Sequence, residues 1–327
     1  MDGFINLLKP AGMTSHDAVS AIRRIFRMKK VGHTGTLDPM ACGVLSICLG
    51  SGTRAAEYLE SDDKAYRCEL MLGTVTDTGD IWGNVTGGDP EAAKAVTRKQ
   101  VEDALLCMQG EQLQYPPMYS AIRKNGKHLY EYARKGETVD VEPRRINLYS
   151  ITPVHVLDEP GRVMFDVVCS KGTYVRTICT DLGERLGCGA TMTFLTRTRS
   201  GAFHIDDAVT LEEMLLAIEE ADGIEPEETL AVKHTGPMRA DLGRYVRPVD
   251  EMLPYFGSAT LDAAQHRLYV NGGKIAKRNA SIGRENSLPR ENRFCDMFLM
   301  YGPEGFCGTA RLDRGTGVFT AGKVLFR

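Results

Sequence analysis

Apolar positions along the chain change period several times, and each change marks an element. Phe4-Ile5-Asn6-Leu7-Leu8 suits a short strand, ended by Lys9-Pro10-Ala11-Gly12. Thr14, with Asp17 three residues on, opens a helix whose apolar positions Ala18, Ile22, Ile25 and Phe26 recur at helical spacing. The unbroken run over 44–49 predicts a buried strand, and 55–59 a short helix. Residues 64–73 alternate and predict a strand, followed by a polar turn over 74–80. Val101, Ala104, Leu105 and Met108 give a helix over 97–108 that Gly110 ends. Alternation over 148–157 and 163–169 suits antiparallel strands. Val175, Ile178, Leu182 and Leu186 line one face of the next helix, and 211–224 forms another. The acidic, Pro-containing 225–228 reads as a hinge and 241–254 as a connector. From about Phe256 short strands alternate with glycine-rich turns.

Between the first helix and the buried strand lies Gly32-His33-Thr34-Gly35-Thr36-Leu37-Asp38-Pro39-Met40-Ala41-Cys42-Gly43. Pro39 pushes Asp38 away from helical φ/ψ, so the carboxylate sits on a stiff, extended kink at the edge of a core. Spacing alone leaves two readings: a turn Asp capping its own backbone, or a catalytic carboxylate.

Composition narrows the class. A chain of 327 residues has room for two domains and a substantial core. No run of 18 apolar residues occurs, and the opening residues lack a basic region and a cleavage site, so neither a membrane span nor a signal peptide is expected. Nine cysteines without a C-x-x-C pair point to reduced thiols in a cytoplasm and to no zinc site. The net charge of -3 speaks weakly against nucleic acid. However, acids cluster over 212–228, while Arg23, Arg24, Arg27, Lys29 and Lys30 crowd together elsewhere. A polyanion feels the local field within about one Debye length, ~8–10 Å.

A second stretch, 115–136, interleaves four Tyr with five Lys or Arg and one His. That mixture fits a surface that tracks phosphates and stacks bases, and equally an exposed amphipathic helix with Tyr on its inner face. So polar a segment has little apolar surface to bury, and it is expected to order on binding.

The run Gly-His-Thr-Gly-Thr-Leu-Asp-Pro-x-Ala-x-Gly resembles the active-site motif of the TruB family of tRNA pseudouridine synthases. Further stretches resemble the same family: Lys9 to Ser15, Lys64-Ala65-Tyr66, Asp77-Thr78-Gly79-Asp80, Tyr119 to Gly136, Ser170 to Arg176, and Leu195 to Gly201. The resemblance spans nearly the whole chain and is looser beyond Phe256. It implies an α+β fold, with a mixed, largely antiparallel central sheet flanked by helices and a small C-terminal PUA-like β-barrel. The implied domains are a catalytic domain over 1–240, with an RNA-gripping insertion at about 115–147, and an RNA-binding domain over 250–327.

The implied activity is isomerisation of the T-loop uridine at tRNA position 55, with no cofactor and no metal. The partner is the tRNA T-stem-loop, with no obligatory protein partner and a monomeric chain expected. Asp38 is the implied nucleophile, paired with Arg176, and Tyr66 stacks on the target base. Tyr174 and Leu195 line the pocket, and His33 fills the gap left in the RNA stack by the extruded base. Arg123, Lys127 and Arg134 belong to the gripping insertion, while Arg197 and Arg199 are expected to reach phosphate. Lys9 is implied beneath the site, structural before catalytic. A guanidinium beside a pocket carboxylate would keep it ionised. Other readings are a same-family synthase with another RNA target, a tRNA-binding protein without catalysis, and a nucleoside hydrolase with Asp62, Asp77 or Asp80 as its acid.

Overall fold

A computed structural model describes residues 1–59, 63–157, 161–231 and 239–326; Asp62 lies outside them. The chain begins with β1 (Gly3–Lys9), α1 (Ser15–Ile25), β2 (Val31–Thr34) and β3 (Cys42–Leu49). The Thr14 hydroxyl accepts from Asp17 N, and the Asp17 carboxylate accepts from Thr14 N, closing a capping box at the start of α1. Next come α2 (Gly52–Leu59), β4 (Lys64–Leu72), the small hairpin of β5 (Val75–Thr76) and β6 (Val85–Gly87), α3 (Pro90–Lys94), α4 (Arg98–Cys107) and β7 (Gly110–Gln114). The polar insertion carries a two-stranded ribbon, β8 (Arg123–Lys124) and β9 (Lys127–His128), and one helical turn, α5 (Leu129–Ala133). Then follow β10 (Arg144–Val156), β11 (Arg162–Cys169), α6 (Val175–Arg185), β12 (Ala190–Ser200), β13 (Phe203–His204), α7 (Leu211–Asp222) and α8 (Pro226–Ala231).

One sheet organises the front of the molecule, in the order β1-β3-β12-β4-β11-β10-β7, with β2 on β3 and β13 on β12. Every pairing is antiparallel except β12 with β3, where Thr196 faces Cys42 and Arg197 faces Gly43. The sheet is therefore mixed and largely antiparallel. Gly43 makes the parallel contact possible. Its φ is +106°, and a Cβ there would lie 2.3 Å from the Arg197 carbonyl oxygen. Apolar residues of α1, α4, α6 and α7, among them Ile22, Leu105, Ile178 and Met214, pack with Ile5, Leu45 and Leu70 of the strands into one core. Each such side chain contributes roughly 1.5–3 kcal/mol on burial.

Two expectations change. Residues 226–228 open α8, and the carbonyl of Glu225 just before it accepts from Thr229 N, so this stretch is a helix start and not a hinge. Proline is tolerated at the first helical position, and Glu227 and Glu228 favour a helix N-terminus. The stretch 241–254 is no loose connector either. Phe4 and Arg247 exchange backbone hydrogen bonds at 2.9 and 2.8 Å, and Val249, Met252 and Leu253 are buried against Phe4, Val44 and Tyr58.

The tail holds β14 (Gly257–Thr260), α9 (Ala263–Val270), β15 (Ile275–Ala276), β16 (Ser281–Arg284), β17 (Met297–Gly302), β18 (Gly305–Asp313) and β19 (Val318–Val324). They form a six-stranded half-barrel in the order β15-β19-β18-β17-β14-β16, consistent with a PUA-like domain. Tyr58 of α2 hydrogen-bonds Thr309 of β18 at 2.9 Å, tying the two sheets together. No described helix is long and apolar enough to cross a membrane.

Candidate active site

Asp38 sits in the loop between β2 and β3, and that loop is pinned from below. The Ser15 hydroxyl donates to the Leu37 carbonyl at 3.0 Å and accepts from Leu37 N at 2.9 Å. Gly12 N donates to the Pro39 carbonyl, and Ala41 N to that of Asp38. Under the loop runs Arg197 of β12, only 1% exposed. It donates through Nη2 to the Gly35 carbonyl and through Nε to that of Val44, both at 2.7 Å. A fully enclosed guanidinium needs such acceptors, and here they are backbone carbonyls of the loop carrying Asp38 and of β3, which follows it.

Arg176, in the first turn of α6, is 5% exposed and meets that loop from the other side. Its Nε lies 3.0 Å from Asp38 Oδ2, Nη1 donates to the Thr78 carbonyl at 2.8 Å, and Nη2 to that of Tyr119 at 2.7 Å. Asp80 Oδ2 stands 3.7 Å from Nη1. One cation thus joins the Asp38 loop, the 77–80 turn and the start of the insertion. Asp38 keeps 38% of its side chain open. The start of α6 is itself fixed by Gln114 of β7, which accepts from Tyr174 N and donates to the Tyr174 carbonyl.

Asp38, Tyr66, Tyr174, Arg176 and Leu195, with Thr36, line a cleft of about 450 Å³. Burial pushes the Tyr66 phenol up from its ordinary value, although Arg197 beside it pulls the other way. Burial likewise raises Tyr174, partly offset by the Ser120 hydroxyl. Both therefore stay neutral phenols near pH 7. Next to this cleft, and sharing Asp38 and Arg176 with it, lies a wider one of about 1250 Å³. His33, Tyr130 and Arg134 border it. Burial, then Arg197, then His16 lower the His33 pKa, which keeps the imidazole neutral. Its Nδ1 is enclosed with no hydrogen-bond partner among the described residues.

The remaining expected residues divide. In the insertion, Arg123 Nε donates to His128 Nε2 at 3.3 Å, Lys127 lies 5.9 Å over the Tyr132 ring, and Arg134 lies 5.3 Å over Tyr130. Arg123 and Lys127 border neither cleft, being exposed on the ribbon. Arg199 is half-buried, its Nη1 donating to the Gly201 carbonyl at 3.4 Å. Arg197, expected to reach phosphate, is instead enclosed: Nε holds the Val44 carbonyl of β3, Nη2 that of Gly35, and Nη1 faces that of Thr36 at 3.5 Å. Lys9 does not face a substrate. It is fully buried, its Nζ donates to the carbonyls of Pro10 and Met13, and burial pushes its pKa down to about 8. From sequence Asp80 is a turn residue within the family-like Asp-Thr-x-Asp stretch or the acid of a hydrolase, and its place beside Arg176 is not foreseen; nor is that of the Tyr119 carbonyl.

Comparison with known proteins bears on the family. The family description "TruB family pseudouridylate synthase (N terminal domain)" matches residues 23–175, and "tRNA pseudouridylate synthase B C-terminal domain" matches 176–254. A protein of Alkaliphilus oremlandii named tRNA pseudouridine synthase B is 43% identical over 302 residues, 90% of this chain and 91% of that one. Its namesake in Clostridioides difficile is 38% identical over 316 residues, 96% of this chain and 95% of that one. Among solved structures, a Cbf5-Nop10-Gar1 complex aligns with a TM-score of 0.69 and 23% identity, covering 99% of this chain and 85% of that one. An H/ACA RNP bound to a substrate RNA containing 2'-deoxyuridine gives 0.68 and 22%, with the same coverage. The structural likeness bears on the fold alone.

Proposed function

The chain belongs to the TruB family of pseudouridylate synthases, and from that membership we propose that it isomerises the T-loop uridine at position 55 of tRNA to pseudouridine. The reaction breaks the glycosidic C1′–N1 bond, turns the freed uracil, joins C5 to the sugar C1′, gives up the C5 proton and leaves N1 carrying a proton in its place. It is redox-neutral. The observation that carries this reading is the Asp38 carboxylate, 3.0 Å from an enclosed Arg176, at the wall of a cleft bordered by Tyr66.

A uridine inside a folded loop reaches such a cleft only if it is extruded. Tyr66 then offers a ring face to the uracil, worth ~1–3 kcal/mol per stacked base, while Tyr174 and Leu195 close the sides. Asp38 supplies the nucleophile, either at uracil C6 or at the sugar as the base departs. Arg176 orients the carboxylate, and its buried contacts leave it little freedom to follow solvent. Because Tyr66 is held as a phenol, Asp38 is the better placed of the two to take the C5 proton. His33, neutral and beside the wider cleft, occupies the gap that the extruded base leaves. The exposed cations Arg123, Lys127 and Arg134 meet phosphates of the stem. The chain acts in the cytoplasm, as a monomer, without a protein partner or a guide RNA.

Incubating the purified chain with unmodified tRNA and mapping the product tests this. A single pseudouridine in the T loop is the expected result. Free uracil would make it a hydrolase; binding without product would make it a tRNA-binding protein. Modification of another RNA alone would move it to a different target, and the 38–43% identical relatives named tRNA pseudouridine synthase B favour tRNA.

A further inference from the structure

The chain has one tryptophan, and its ring is in the open. Trp82 is 60% exposed, flanked by the exposed side chains of Ile81 and Val85. An indole left out of the core buries nothing in the free protein, so its position calls for another explanation. The turn that carries it is firmly held. Ile81 N donates to the Met192 carbonyl at 2.9 Å, Trp82 N to Asp80 Oδ1 at 3.1 Å, and Asn84 N to Asp77 Oδ1 at 2.8 Å. Gly83 adds to this: a Cβ there would lie 2.3 Å from Thr78 Oγ1. The backbone of Trp82 is therefore referenced, through Asp80 and Thr78, to the Arg176 guanidinium.

Trp82 borders the wider cleft and not the narrower one. That cleft opens onto Asp38 and Arg176 and is bordered as well by Tyr130, with the Arg134 guanidinium over its ring. It is the wider of the two and extends past the narrow cleft to the 14–16 segment, the 78–82 turn and the insertion. We propose that Trp82 is a stacking platform for a second unpaired nucleobase, one that neighbours the reacting uridine in the same RNA loop. This rests on the RNA-modifying function proposed above. An aromatic face accepts any base, because every base presents a π-face. The contact is the same in the ground and transition states, so its loss raises KM and leaves kcat in place.

Because no other tryptophan is present, the protein's indole emission reports this ring alone. The full chain is titrated with an unmodified RNA hairpin carrying the T-arm sequence, and binding is followed in parallel by filter retention. Saturable quenching with the midpoint of the filter curve is expected. Trp82→Ala should raise KM about tenfold at unchanged kcat, and Trp82→Phe should recover most of the loss. Emission that stays constant while filter binding saturates would overturn the proposal, as would a Trp82→Ala KM equal to that of wild type. Failure of the wild-type chain to retain any RNA would instead remove the functional reading itself.

Discussion

Arg176 Nε lies 3.0 Å from Asp38 Oδ2, while the two Nη groups of the same side chain donate to the carbonyls of Thr78 and Tyr119. The carboxylate is thereby oriented by a group whose other bonds hold two further segments of the cleft wall. Geometry at Asp38 and closure of the wall are one arrangement, which gives substitutions here separable consequences.

Asp38→Asn keeps the shape of the side chain and removes its nucleophilic charge. It should bind tRNA as wild type does and lose turnover by about 10⁴-fold or more. Tritium release from C5-labelled uridine measures this, and undiminished release would take Asp38 out of the mechanism.

Arg176→Lys retains a charge, but one ammonium nitrogen cannot span the acceptors that Nε, Nη1 and Nη2 reach from three separate atoms. The turnover number should fall about 10²-fold through misplacement of Asp38. Stability should fall by about 2–4 kcal/mol, because buried carbonyls lose their donors. Single-turnover kinetics and urea unfolding read the two effects separately.

Arg197 and Arg134, both expected from the resemblance to contact the RNA, should behave oppositely. Arg197→Met removes the support of the Gly35 and Val44 carbonyls and should cost about 3 kcal/mol of stability. Arg134→Ala, at an exposed position, should leave stability unchanged, weaken RNA binding, and reduce the slope of log K against log salt by about one. Thermal unfolding and binding at several salt concentrations distinguish them.

Lys9 gives the chain an alkaline signature. Its folded pKa, about 8, is below the ordinary 10.5, so the unfolded chain holds the proton more tightly. Stability contributed by this group is therefore full above about pH 10.5 and lost as pH falls through about 8. Compared with Lys9→Met, the wild-type chain should gain stability as pH rises across that window. Urea midpoints of both proteins at matched pH values test this; a constant difference would refute the depressed pKa.

Much of the site was legible in the residues. The kink at Asp38-Pro39, the box at Thr14 and Asp17, and the helical spacing of Val175, Ile178 and Leu182 in α6 are local signals, and local geometry follows them. Burial of charge was not legible. A lone Arg or Lys in sequence is solvated by default. Only the sheet order shows that Arg197 is covered by β3 and the Gly35 loop, and that Lys9 is closed over by its own turn. The strand β12 was hard to see for a related reason. Its Thr-Met-Thr-Phe-Leu-Thr-Arg-Thr-Arg run is polar in composition, and its place in the middle of the sheet depends on partners distant in sequence. Helix α8 was misread because acids and a proline suggest a break, yet together they suit a helix start.

The position of β12 between β3 and β4 has a consequence for how the molecule is made. A nascent chain that has not yet emerged past Ser200 has both flanking strands available but nothing to join them. It also lacks Arg197, the prop beneath the Asp38 loop. The front sheet therefore cannot close during synthesis until the eleven residues of that strand have left the ribosome.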